Sequence, residues 1–217
     1  MLTIPEEFLL LTLRDEEGGF VDILPQAAAA GFVGAAIMEL ALQNRVDSDL
    51  EKIWVVDKTP VGEPAVDLIL QKIAAPGFDS STDRLIDQLV DVGPRVRELA
   101  LQRLVERKIL KVSEGTILWF LKTRRYPVVD GRELREAKLR ILAILLGGEL
   151  PGPRDICLMS LAHSCGILGQ VVPPSELKRA EERVATLAKM DLIGQNVARS
   201  ITIFTEIVAR ASFPTIM

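Results

Sequence analysis

The chain has 217 residues, 48% of them hydrophobic and 26% charged, with 15 glycines and 12 prolines. That balance excludes a disordered, collagen-like or low-complexity protein and leaves ample apolar area for a core. The net charge of −4 argues against a globally basic nucleic-acid binder, and two cysteines, Cys157 and Cys165, are too few for a disulfide framework.

Aromatic residues make up 5% of the chain, and the apolar mass is Leu, Ile, Val and Ala, a mixture that favours helices packed on helices. Thr3-Ile4-Pro5-Glu6 reads as a capping box opening a short apolar helix through Leu13. A charged turn at 14–19 precedes an extended piece at 20–24, stopped by Pro25. Residues 26–45 are helical, with Ala27–Ala30, Gly31, Gly34, Ala35 and Ala36 forming a small-residue face for close helix approach; an all-round apolar helix belongs in the core. A strand is expected at 53–56, a loop at 57–64 and helices at 65–74 and 83–90, the latter capped by Ser81 or Thr82. A break at Gly93-Pro94 precedes a helix to Arg107. A β-hairpin follows over about 109–121, with its turn at Ser113-Glu114-Gly115 and with Trp119 and Phe120 packing beneath it. Asp130 caps a helix closed by Gly147-Gly148. Further helices run from 154 to 168, from a Ser175 cap to 190, and from 197 to 211. No fixed-period repeat or linker is visible, so residues 1–217 read as a single, mostly α domain carrying one small hairpin.

The longest nearly uncharged apolar run, residues 27–38, has twelve residues and is too short to span a bilayer. Glu6 and Glu7 stand where an export signal would carry Lys or Arg, so a cytoplasmic protein is expected.

Enzymatic chemistry finds little support. His163 is the one histidine. It lies in an apolar helix beside Ser160, Ser164 and Cys165, where a core histidine with a hydrogen-bonded ring is the expectation. Cys157, His163 and Cys165 lack zinc-ligand spacing. There is no G-x-S-x-G elbow, Walker loop or G-x-G-x-x-G. Gly31-x-x-Gly34 and Gly166-x-x-Gly169 read as helix packing or capping. Glu6-Glu7 and Glu181-Glu182 read as solvated helix positions. No catalytic residue, metal or cofactor is assigned.

The charge map is more informative. Residues 94–125 carry nine positives, Arg95, Arg97, Arg103, Arg107, Lys108, Lys111, Lys122, Arg124 and Arg125, against Glu98, Glu106 and Glu114, a net of +6 on a remainder of −10. A basic helix-plus-hairpin unit on an acidic body suits anionic partners such as lipid headgroups or nucleic acid. The alternative is a solvated face with intramolecular ion pairs to the acidic remainder. A basic helix followed by a hairpin also fits a winged helix reading DNA, although the net charge argues that no nucleic acid binds. An oligomerisation module pairing through the hairpin is a third reading.

Blocks along nearly the whole chain resemble the Golgi phosphoprotein 3 family. They are LTIPEEFLLL at 2–11, GFVGAAIMELAL at 31–42 closing with Arg45, and Pro60-Val61-Gly62-Glu63 with Asp67. The last three are Leu104-Val105-Glu106-Arg107, Arg125-Tyr126-Pro127 and Leu161-Ala162-His163. The resemblance implies a buried helical bundle wrapped by amphipathic helices, with one projecting hairpin. It also implies a non-enzymatic adaptor, peripheral on a membrane's cytosolic face, that binds phosphatidylinositol 4-phosphate and the cytosolic tails of membrane proteins and self-associates through the hairpin. The family's headgroup pocket falls on Leu24, Val33, Pro94 and Arg97. Only Arg97 keeps the family's residue type, with Arg95 one place from the lost basic position. The basic N-terminal extension of eukaryotic members has no counterpart before Leu2. The expected headgroup ligands are thus Arg97 and Arg95, with Arg103, Arg107, Arg124 and Arg125 as a basic surface. Adhesion through this surface is expected to be electrostatic.

Overall fold

Thr3 starts the first helix as its sequence predicts. Its hydroxyl accepts the Glu6 N–H at 3.4 Å, and the Glu6 carboxylate accepts the Thr3 N–H at 2.6 Å, closing the capping box of α1 (Ile4–Leu11). The computed structural model describes residues 1–14, 19–117, 121–129, 131–187, 196–197 and 199–202, with 114–117 and 121–124 as backbone alone. Every residue of α1 is buried, Glu6 and Glu7 included. This corrects the solvated reading of that pair. Glu181 and Glu182 are exposed as expected.

Helix α2 (Pro25–Leu42) is the core, packed against α1, α3 (Pro64–Ile73), α5 (Gly93–Glu106) and α7 (Pro153–Ser164). Pro25 opens it, and it has ended by Asn44, whose φ is 54°. It therefore runs 18 residues, beyond the apolar stretch at 27–38, and among the described residues it alone is long and apolar enough to cross a membrane. Its window is 72% buried inside the fold, as befits a core helix. The small-residue face is used: a Cβ on Gly31 would sit 2.7 Å from both Cys165 Sγ and Phe8 Cζ, so α1 and the end of α7 reach the α2 backbone there. The Cys165 thiol, sealed in this contact, is pushed up to about 12 by burial. The folded protein should leave it unmodified by iodoacetamide at neutral pH, with labelling appearing only on unfolding.

Strands β1 (Val46–Ser48) and β2 (Ile53–Val55) pair antiparallel, Val46 opposite Val55. Three residues alternating buried and exposed are too short a signal for β1 to be read from sequence. The chain then stays helical from a 3-10 turn at Thr82–Arg84 through α4 (Leu85–Leu89) and a second 3-10 turn at Val90–Val92 into α5. No break falls at Gly93-Pro94. Gly93 takes a helical φ of −54°, and Pro94 occupies the first turn of α5, where the N–H it lacks has no intrahelical partner to lose. Neither Ser81 nor Thr82 caps this run through its side chain; the Thr82 hydroxyl instead donates to the Leu50 and Glu51 carbonyls.

The second hairpin lies further along than expected. Strands β3 (Ser113–Ile117) and β4 (Leu121–Arg125) pair from Ser113–Arg125 to Ile117–Leu121. Ser113-Glu114-Gly115 is therefore strand rather than turn. Turn propensity at these residues yields to cross-strand hydrogen bonding and to anchoring at the base, where Leu110 bridges Val128 and the Lys111 N–H donates to the Pro127 carbonyl. Trp119 and Phe120 lie outside the described residues.

Helix α6 (Arg132–Gly147) starts at Gly131 without a side-chain cap and closes at Gly148, φ 78°. The expected cap, Asp130, is outside the described residues. Helix α7 stops at Ser164, short of the expected 168, because Gly166 turns the chain with φ 70°. A 3-10 turn, Pro174–Glu176, takes in Ser175 and leads into α8 (Leu177–Leu187). Residues 196–197 and 199–202 are helical, and the rest of the expected final helix lies outside the described residues. The result is mostly α, with two small hairpins among the described residues where one was expected.

Buried charge ties the helices together. Glu39, 4% exposed, accepts the Ile4 N–H at 2.8 Å, Arg154 Nη1 at 2.9 Å and Gln43 Nε2 at 2.9 Å. Arg154 also donates to the Leu2 carbonyl and lies 3.4 Å from Glu7. Arg140 bridges Glu7 at 2.9 Å and Asp155 at 2.5 Å. These bonds link α1 to α2, α6 and α7.

Candidate anion-binding site

Val96, Ala100 and Leu104 form the buried face of α5, which fixes where its arginines emerge. Arg95 projects into solvent and pairs with Glu98 at 2.5 Å. Arg103 reaches Glu63 at 3.2 Å and Glu106 at 3.5 Å, contacts that hold its guanidinium above its ordinary range. Arg107 lies 3.6 Å from Glu6 and 4.0 Å from Glu63, and donates to the Met1 carbonyl at 3.0 Å. Most of this helix's positive charge is thus met by carboxylates, as the intramolecular ion-pair alternative anticipated. The Arg124 side chain lies outside the described set. Arg125 is exposed and already has a partner.

Burial lifts the Glu6 carboxyl above its usual range, although Thr3 and Arg107 pull the other way. A folded pKa above the unfolded one means the folded state binds more protons. The group's contribution is therefore full at acid pH and fades as pH rises past the unfolded value of 4.5. Glu6→Gln keeps the capping acceptor, so the variant should gain stability relative to wild type as pH is raised from about 4 to about 7 in paired denaturation series.

Arg97 differs from its neighbours. It has no carboxylate partner among the described residues. Its guanidinium carbon lies 4.1 Å from the centroid of the Phe20 ring, and Phe20 in turn lies 6.0 Å from Tyr126. Burial lowers its pKa, with a smaller opposing effect from Tyr126. Arg97 lines a cleft of about 400 Å³ between the start of α5 and the start of α2, walled by Phe20, Ile23, Pro25, Ala28 and Pro94. Gly93 forms its floor, pressed so closely on α2 that a Cβ there would lie 2.7 Å from Ala29 Cα. Leu24, 55% exposed, stands next to the wall, whereas Val33 is wholly buried.

A family model, Golgi phosphoprotein 3 (GPP34), matches residues 4–203. The chain belongs to this family.

Within the Golgi phosphoprotein 3 framework, Pro94 and Arg97 line the cleft, Leu24 stands at its edge, and Val33 faces the core. Arg95 lies one residue outside, turned to Glu98. Phe20 and Tyr126 escaped the sequence reading. Their signal was indirect: Phe20 is an aromatic in an extended piece just before a proline-started helix, and Tyr126 sits directly after the basic hairpin. Glu6 and Glu63 were also missed as partners of α5, although a −10 remainder against a +6 segment already called for such pairs. His163 is exposed on α7, so a core histidine with a hydrogen-bonded ring is incorrect; the helix turns that position outward while Leu161 and Ala162 fill the core. Among the described residues no group of three or more His, Cys, Asp and Glu is placed to hold a metal ion.

Proposed function

We propose that this Golgi phosphoprotein 3 family member is a non-enzymatic, peripheral membrane adaptor that takes an anionic lipid headgroup in the α2–α5 cleft. Arg97 is the principal ligand and Arg95 assists from the rim. The observation that supports this most is the state of Arg97. Among the described residues it is the one arginine of α5 without a carboxylate, it is partly desolvated, and it lines the cleft of about 400 Å³ between α2 and α5. A cation held in that way gains from a bidentate oxyanion more than a solvated lysine would. Lys111 at the hairpin base adds reversible, salt-sensitive attraction of about 1 kcal/mol near an anionic leaflet. The cytosolic face of a membrane is the corresponding location, and cytosolic tails of membrane proteins are the expected protein partners.

The test is vesicle co-sedimentation over a salt series, with phosphatidylserine or phosphatidylinositol 4-phosphate in phosphatidylcholine. Arg97→Ala should weaken pelleting about tenfold and Arg95→Ala only a few-fold, since the first removes a partly buried charge-assisted contact and the second an exposed one. Absence of pelleting with any anionic lipid at low salt would remove the membrane reading. DNA reading as a winged helix needs basic side chains free to leave α5, and those of Arg103 and Arg107 are engaged by Glu63 and Glu6. No gel shift with duplex DNA is expected.

A further inference from the structure

We infer that the α2–α5 cleft is shaped for a single-chain lipid bearing one carboxylate, a long-chain fatty acid, rather than for a phosphorylated polyol. The inference rests on the reading of this cleft as the anion site and names the ligand class it selects. Among the described residues the cleft offers one cation and walls that are otherwise almost wholly apolar. Among the described residues Thr12 is the other polar side chain on its lining; it is buried, and its hydroxyl donates its proton to the Leu9 carbonyl at 2.6 Å. An inositol ring would bring several hydroxyls against Ile23, Ala28 and Phe20 with nothing to bond them, and unpaired polar groups are strongly rejected by such a site.

Charge points the same way. One guanidinium neutralises one carboxylate, whereas a phosphate monoester carries about −1.5 to −2 and would leave charge uncompensated beside apolar walls. Arg97 sits over the Phe20 ring, a contact that uses none of its N–H donors as hydrogen bonds, and among the described residues no carboxylate takes them, so they can serve both oxygens of a ligand carboxylate. Helix α2 begins at the same cleft with neither a side-chain cap nor an acidic residue in its first turn, so its positive end adds to Arg97. The volume of about 400 Å³ falls within the usual range for sites that enclose small apolar ligands.

The experiment titrates the full chain calorimetrically with laurate, decanoate, dodecyl phosphate, dodecyltrimethylammonium and inositol 1,4-bisphosphate. Laurate should bind saturably, one per chain, and each methylene removed should weaken binding about fourfold at most. The ammonium amphiphile of the same chain length should show no saturable site. Arg97→Leu should cut laurate affinity at least tenfold. Arg97→Lys, which keeps the charge but not the fork, should recover only part of it. Ala28→Phe, which fills the cleft without touching charge, should abolish the chain-length dependence. Tighter binding of inositol 1,4-bisphosphate or dodecyl phosphate than of laurate, or equal binding of the ammonium amphiphile, would overturn the inference. Vesicle pelleting without laurate binding overturns it while leaving the membrane reading in place. Laurate binding without pelleting on any anionic vesicle supports the inference and removes the membrane reading.

Discussion

Glu39→Ala is expected to cost about 3–5 kcal/mol of stability, the range for removing one partner of a buried ion pair. In a chain of this size that corresponds to a fall in Tm of about 6–20 °C. Glu39 is the one charge on α2 and is 4% exposed; it receives Arg154 from α7 and the Ile4 N–H from the first turn of α1. Truncation leaves a guanidinium and an orphan helix N–H inside the protein, with only Glu7 and the Leu2 carbonyl still near Arg154. The paired replacement Glu39→Leu with Arg154→Met should recover most of the loss, because no uncompensated charge then remains. Urea denaturation of the two single variants and the double variant measures the coupling. Additive losses would show that the network contributes no pairwise energy.

Gly93→Ala is the second large effect, and two physical terms oppose each other in it. Alanine in a helix is favoured over glycine by about 1 kcal/mol. A Cβ at this position, however, would lie 2.7 Å from the Ala29 Cα and carbonyl carbon, which are backbone and cannot swing aside. Overpacking of this kind costs about 1–3 kcal/mol and here requires α5 to move away from α2. Because the clash is with backbone, the steric cost is expected at the upper end of that range, about 3 kcal/mol, leaving a net loss of about 2 kcal/mol on chemical denaturation. Because Gly93, Pro94 and Arg97 share one stretch of α5 lining the cleft, the same variant should also weaken anion binding. Gly93→Ala that proved more stable than wild type would refute the close α2–α5 contact.

The blocks that carry the family resemblance meet inside the fold more than at the cleft. Glu6 from the first, Glu63 from the third and Arg107 from the fourth form one ion-pair cluster, and Glu39 from the second joins α1 to α7. Asp67 accepts the Val61 and Gly62 N–H groups at 2.7 and 3.1 Å, shaping the loop that presents Glu63 to Arg103. Residues legible as a family signature are thus largely those that hold α1, α2, α3 and α5 in register. The cleft residues Phe20, Ile23 and Ala28 belong to none of the blocks, which is why the sequence could name Arg97 but not its surroundings.

Local chemistry was enough to read the capping box of α1, the all-round apolar character of α2, the helix at α3 and the glycine end of α6, because each depends on residues within a turn or two of one another. It was equally enough to count the charge on residues 94–125. Where that charge goes is a long-range matter: Arg103 finds Glu63 across 40 positions and Arg107 finds Glu6 across 101, while Arg97 meets, among the described residues, an aromatic ring rather than a carboxylate. Hairpin register was decided in the same way, by backbone pairing at its base against the turn preference of Ser113-Glu114-Gly115. Coulomb attraction and desolvation act through space and not along the chain, so packing decided which cations of α5 meet carboxylates and which meets an aromatic ring.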